Sequence, residues 1–247
     1  MKHDIALFSK VISEFDFNSR KICIGTLGEK VLHAIIKSYY EPDEEFQEVS
    51  VNSFIADIKR GDEIVEIQTT SFNLLNKKLE KYLDSYSVTV VFPIALNKHI
   101  VWLDKDSGEV VSKNKSNKKG RAIEFLYEAS KIRKYLNCGN LRFEILLIDM
   151  DEYRLLDGYG KDKKKRCTKL YKMPTALIDY IEIESADDVK KILPPEVMDG
   201  RFTFADFEKI TKLKNRRARY SLNALIKFGI VRKVDKIGKA DIFEAVN

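Results

Sequence analysis

The chain has few of the residues that carry metal and redox chemistry through nitrogen and sulfur. Its 247 residues include three cysteines and three histidines. Cys23, Cys138 and Cys167 are widely separated, and no two have the spacing of metal ligands. An odd, scattered set points to a reducing compartment. With only His3, His33 and His99 to complete a donor set, a structural zinc site is not expected. No segment approaches the run of about 20 apolar residues that crosses a bilayer. The N-terminus has no apolar stretch followed by a small-residue cleavage site. The expectation is a cytoplasmic protein. Also missing are a phosphate-binding G-x-x-x-x-G-K-[ST] loop, a Rossmann glycine fingerprint and a G-x-S-x-G nucleophile elbow. Gly158-Tyr159-Gly160 is too short to stand for any of them. There is no internal repeat, coiled coil or long low-complexity tract.

What the chain does have is enough apolar residue, 44%, to bury one or two cores, and a net charge of +6. That balance favours a polyanionic partner. Periodicity predicts amphipathic helices over about 4–16 and 26–40, the second with Leu27, Val31, Ala34 and Ile35 as its apolar stripe. Glu29, His33, Ile36 and Tyr40 fall on a different, mixed side that could line a cleft. Strands are expected at about 46–51, 54–60 and 63–69, then a helix over 72–86. An apolar strand at 88–95 and a further strand at 99–104 follow. A basic loop is expected at Lys113–Arg121, a helix over 121–136 and a strand over 141–149. This alternation indicates an α/β core. The glycine- and lysine-rich segment 157–166 reads as an exposed loop.

The densest chemistry lies in Phe54–Thr69, which reads as a β-hairpin with an acid on each strand. Asp57 is on the first strand, Gly61-Asp62 form the turn, and Glu66 and Gln68 share a face of the second, because side chains alternate along a strand. Paired carboxylates on rigid strands suit Mg²⁺, a hard ion that takes oxygen ligands. A helix with Glu29, a strand with Asp57, a strand with Glu66-Ile67-Gln68, then a helix and an apolar strand resemble the PD-(D/E)xK nuclease superfamily over residues 22–105. That resemblance implies a restriction-endonuclease-like mixed central sheet flanked by helices. It implies Glu29, Asp57 and Glu66 as the acids, the Ile67 carbonyl as a further ligand, and Mg²⁺ or Mn²⁺ as cofactor. The chain departs from the pattern at Gln68, where the family usually has lysine to stabilise charge on the phosphate; glutamine can only hydrogen-bond. Lys78, flanking the buried stripe of the next helix, is the better substitute cation, and Lys59 is a second candidate. In the implied reaction the metal-bound water attacks the phosphodiester and Gln68 positions it.

From about Ser185 the pattern changes to helices at 186–192, 204–211 and 215–228, with part of 194–200 a further candidate. Ile230–Val246 would then form a two-stranded hairpin. This resembles a winged helix-turn-helix domain over 185–247, after a nuclease-like domain over 1–184. Lys212, Lys214, Arg216, Arg217 and Arg219 cluster at the start of the second helix, the end that meets the major groove in such motifs. Lys233, Lys236 and Lys239 on the wing are available for phosphates. Three functions remain open. One is a metal-dependent DNA endonuclease acting on double-stranded DNA, a possible homodimer. Another is a DNA-binding regulatory or scaffold protein whose nuclease-like domain is inactive. The third is a module that contacts other proteins.

Overall fold

The computed structural model describes residues 4–15, 27–159 and 165–246, and for residues 27–30, 159, 165 and 166 the backbone alone. His3, Asp16, Cys23, Thr26 and the loop centre at 160–164, all part of the sequence reading, lie outside the described residues. In chain order come α1 (Ile5–Ser13), α2 (Leu27–Tyr40), β1 (Gln47–Val51), β2 (Phe54–Arg60), β3 (Glu63–Ile67), α3 (Leu75–Tyr82), β4 (Ser87–Asp104), β5 (Val110–Lys115), α4 (Phe125–Ala129), β6 (Leu141–Tyr159) and β7 (Lys165–Ile183). The C-terminal part holds α5 (Ala186–Lys190), β8 (Arg201–Thr203), α6 (Phe204–Thr211), α7 (Asn215–Phe228), β9 (Val231–Ile237) and β10 (Ala240–Ala245). The architecture is a mixed α/β fold: a central sheet of order β1-β2-β3-β4-β6-β7, with β5 paired to β4, flanked by helices. A small C-terminal unit of helices and a three-stranded sheet, order β8-β10-β9, resembles a helix-turn-helix region. No described helix is long and apolar enough to cross a membrane.

Two compact units emerge from the packing. One comprises Met1–Val49, Pro93–Arg121 and Leu146–Ile181; the other comprises Ser50–Phe92, Ala122–Ile145 and Glu182–Asn247. In the first, Asp4 caps α1 by accepting the Ala6 and Leu7 backbone N–H groups. Val11, Ile12 and Phe15 pack on Val31 and Ile35 of α2 together with Tyr171 and Met173. Helix α2 is more buried than its own periodicity predicts. Ile36, on the mixed side, is as buried as Val31 and Ile35, and Leu32, Tyr39 and Tyr40 are buried too. Over residues 31–40 it is buried on most sides, Lys37 included, with His33 and Ser38 half-buried. Opposite charges line β4, β5 and β6. Asp151 takes Lys113 at 2.6 Å and faces His99 at 3.4 Å, while Glu152 takes Lys98 at 2.7 Å and Arg154. The Arg154 guanidinium lies 5.8 Å from the Trp102 ring.

Several expected boundaries move for identifiable reasons. The strands anticipated at 88–95 and 99–104 are one strand, because Asn97 is held in it by backbone and side-chain bonds to Asp149. Lys113, assigned to a loop, lies in β5 opposite Val101. The helix expected over 72–86 opens as a 3-10 turn capped by Ser71 and ends at Tyr82. The helix expected over 121–136 breaks into short 3-10 and α segments, and there Ser130 Oγ donates to the Tyr127 carbonyl at 2.7 Å. The strand that should have stopped at 149 continues to Tyr159, and β7 starts inside the segment read as a loop.

In the second unit Phe72 anchors the core, 5.2 Å from Phe92, 6.2 Å from Phe125 and 6.4 Å from Phe143 between ring centroids. Capping boxes at Ser185/Asp188 and Thr203/Asp206 fix the starts of α5 and α6. Back in the first unit, Gly120 donates its N–H to the Ala95 carbonyl at 2.8 Å, and a Cβ there would fall 2.4 Å from that oxygen. Gly120→Ala is therefore expected to destabilise the protein by about 1–3 kcal/mol through overpacking. Urea unfolding of the two proteins measures it; equal midpoints would show that the backbone gives way without cost.

Candidate functional site

Strands β2 and β3 run antiparallel, with Ile58 opposite Val65 and Arg60 opposite Glu63. Gly61 makes the turn at φ +50°, a conformation that suits glycine. On its other side β3 runs parallel to β4, placing Glu66 opposite Val90. With a neighbour on both sides and α3 in the same unit, Glu66 has no exposed surface. A buried carboxylate must find donors or hold its proton. Lys78 of α3 supplies the donors. Its Nζ donates to both Glu66 oxygens at 2.8 Å and to the Ile55 carbonyl at 2.7 Å. Asp57 Oδ2 accepts the Ile67 backbone N–H at 2.7 Å.

Burial, reinforced by the Asp57 charge, pushes the Glu66 carboxyl up to about 8, against the opposing pull of Lys78. Tyr82, one helical turn beyond Lys78, is fully buried as well. Its phenol is driven upward by burial and then by the charges of Glu66 and Asp57. Its hydroxyl has no hydrogen-bond partner among the described residues. From the sequence, Tyr82 is given no part in the site. The missed signal was its spacing of four from Lys78, which puts both on one side of α3.

Asp57, Glu66, Ile67 and Lys78 thus converge. Gln68 is half-buried just past β3, its backbone N–H donating to the Val91 carbonyl at 2.9 Å. Glu29 lies in α2, and its side chain is outside the described residues. Lys59, the second candidate cation, donates instead to the Gly61 carbonyl at 2.9 Å and lies over the Tyr86 ring. Among the described residues no group of three or more His, Cys, Asp or Glu side chains is placed to hold a metal. Mg²⁺ takes an octahedron of oxygens. As arranged, the described residues do not furnish that set, since both Glu66 oxygens accept from an ammonium.

The basic cluster forms a second candidate surface. Lys212 ends α6 at φ +54°, buried Leu213 follows, and Lys214 precedes α7 as its N-cap. Ala218, Ser221, Leu222, Ala224, Leu225 and Phe228 form the buried face of α7. Lys212, Lys214, Arg216, Arg217 and Arg219 are all exposed. None of the five is paired with a carboxylate among the described residues. Arg219 instead stacks on Phe204 at 4.9 Å. The wing differs: Lys233 pairs with Asp241 at 2.7 Å, Lys236 lies 3.8 Å from the same carboxylate, and Arg232 pairs with Glu244.

The raised Glu66 carboxyl fixes a sign for pH dependence. A carboxyl held above its ordinary 4.5 when folded binds more protons folded than unfolded, so its contribution to stability declines as pH rises from about 4.5 to about 8. Glu66→Gln is expected to flatten that decline. Lys78→Met removes the cation that opposes protonation, so the stability it loses should be largest at about pH 9, where wild-type Glu66 is ionised. The loss should be smaller at pH 5, where Glu66 takes up a proton. Urea titrations at the two pH values compare the variants; a Lys78→Met loss independent of pH would show that the ion pair is not its source.

Residues 30–184 match the family described as "Domain of unknown function (DUF8091)". A protein of Treponema pallidum (strain Nichols), described only as an uncharacterized protein, is 29% identical over 170 residues, or 68% of this chain. The aligned part of the chain spans 64% of that relative's length. No solved structure matches the chain. The match covers more than half of the sequence and contains the whole Asp57–Glu66–Lys78 cluster, and the chain belongs to the DUF8091 family.

Proposed function

We propose that this chain is a DNA-binding protein of regulatory or scaffolding type. In this reading the C-terminal unit is a winged helix-turn-helix that contacts duplex DNA, and the acidic cluster of the sheet is a structural ion pair within a restriction-endonuclease-like domain. The observation that carries it is the contrast in charge pairing: five exposed cations around the start of α7 meet no carboxylate among the described residues, whereas Arg232, Lys233 and Lys236 of the adjacent wing are paired. Unpaired cations at the N-terminal end of the second helix suit phosphate contact beside the major groove. The closed state of the cluster supports the other half of the reading. Glu66 is fully buried, and Lys78 occupies both of its oxygens.

A second reading, metal-dependent phosphodiester hydrolysis, is favoured by one observation. Lys78 brings a cation to the acid pair, where Gln68 has none to offer. It requires a further carboxylate, for which Glu29 is the sequence candidate. It also requires Lys78 to release at least one Glu66 oxygen to a divalent ion.

One set of assays addresses both. Duplex binding should weaken steeply with salt, and Lys214→Ala or Arg216→Ala should each lower the salt slope by about 1. An affinity insensitive to salt, or none at all, would remove the DNA-binding reading. Plasmid, linear and single-stranded DNA incubated with Mg²⁺, with Mn²⁺ and with EDTA should remain intact. Cleavage that stops with EDTA and with Asp57→Ala would establish hydrolysis in place of the scaffold role.

A further inference from the structure

The start of α7 carries more than charge. Tyr220 follows Arg216 by four residues and Arg217 by three, so all three share one flank of the helix. On that flank the Arg216 guanidinium lies 5.2 Å from the Tyr220 ring. Tyr220 meets Tyr127 of α4 edge to face, with centroids 6.0 Å apart. The Arg217 guanidinium lies 5.6 Å from the Tyr127 ring on the same flank. Lys131 also approaches Tyr127, at 4.7 Å, but its charge is taken by Glu128, with bonds of 2.7 and 2.8 Å. Two aromatic rings and two cations that meet no acid among the described residues therefore lie together on this flank, and 37% of Tyr220 is exposed.

Phosphate contact alone would need only the cations. The rings add flat apolar faces beside positive charge, a combination that holds nucleobases by stacking while the backbone phosphates meet the guanidinium groups. In a blunt duplex the base faces are hidden in the stack, so only unpaired bases can use such a surface. We propose that Tyr220 and Tyr127, with Arg216 and Arg217 beside them, form a stacking platform for unpaired bases. The C-terminal unit then prefers nucleic acid with a single-stranded stretch next to a duplex. This rests on the DNA-binding reading above and extends it to the class of nucleic acid recognised.

Fluorescence anisotropy with a labelled blunt duplex, and with the same duplex carrying a single-stranded tail of about ten nucleotides, tests it on the full chain. The wild type should bind the tailed duplex at least about fivefold more tightly than the blunt one, the low end of one stacked base. Tyr220→Leu should erase that preference and leave blunt-duplex affinity within about twofold, whereas Tyr220→Phe, which keeps the ring, should retain it. Thermal melting of each variant registers any loss of packing between α4 and α7. Equal wild-type affinity for the two ligands, or equal weakening of both by Tyr220→Leu, overturns the platform and leaves duplex binding standing. Failure to bind either ligand overturns the DNA-binding reading, and the platform with it.

Discussion

A carboxyl group sealed from water inside a sheet must hold its proton or meet a cation, and Glu66 imposes that choice on everything around it. Strands β2 and β4 close both sides of β3, so the compensating cation has to come from a neighbouring element. It comes from α3. Lys78 spans from Glu66 on β3 to the Ile55 carbonyl on β2, so one ammonium ties the helix to both strands of the hairpin. Leu75, Leu79 and Tyr82 turn inward from the same helix. Hydrophobic packing thus sets which face of α3 is buried, while Lys78 ties that helix to both strands of the hairpin. An exposed acid would impose neither condition, since surface ion pairs contribute little.

The C-terminal unit divides its labour by helix face. Small and apolar residues from Ala218 to Phe228 turn α7 toward its own core, and Gly229 in the left-handed conformation ends it. Asn137 donates to the Lys227 carbonyl at 3.0 Å, and Tyr127 meets Tyr220, so α7 is also held against the segment that carries α4. What remains outward is its basic N-terminal end. In the proposed DNA-binding role, a helix fixed on two sides would present that end without ordering it anew, which lowers the entropic cost of association.

Legibility in the sequence followed the range of the interactions involved. The hairpin was readable because its alternation and the Gly61 turn are local. Helices α6 and α7 were readable because their apolar spacing and Gly229 are local. The approach of Lys78 to the acids was partly readable, since α3 follows β3 closely and its stripe gives the phase of the helix. The remainder depended on distant partners. Asn97 belongs in a strand only because Asp149 holds it, and Lys113 belongs in β5 only because Val101 and Asp151 lie across from it. Burial of α2 on most sides over residues 31–40 cannot be read from its own residues, because a mixed side is an exposed side only if nothing packs over it. The Tyr220–Tyr127 contact joins residues far apart in sequence, and no periodicity announces such a pair.

The chain has one tryptophan, and Trp102 sits half-buried on β4 beneath the guanidinium of Arg154. The compact unit bearing the hairpin acids and the basic helix has none. Indole emission is therefore a native optical probe of one unit alone, whereas tyrosine absorbance reports on both. A difference between the two signals during denaturation would reveal whether the units melt in one cooperative step or in succession, without any dye being attached.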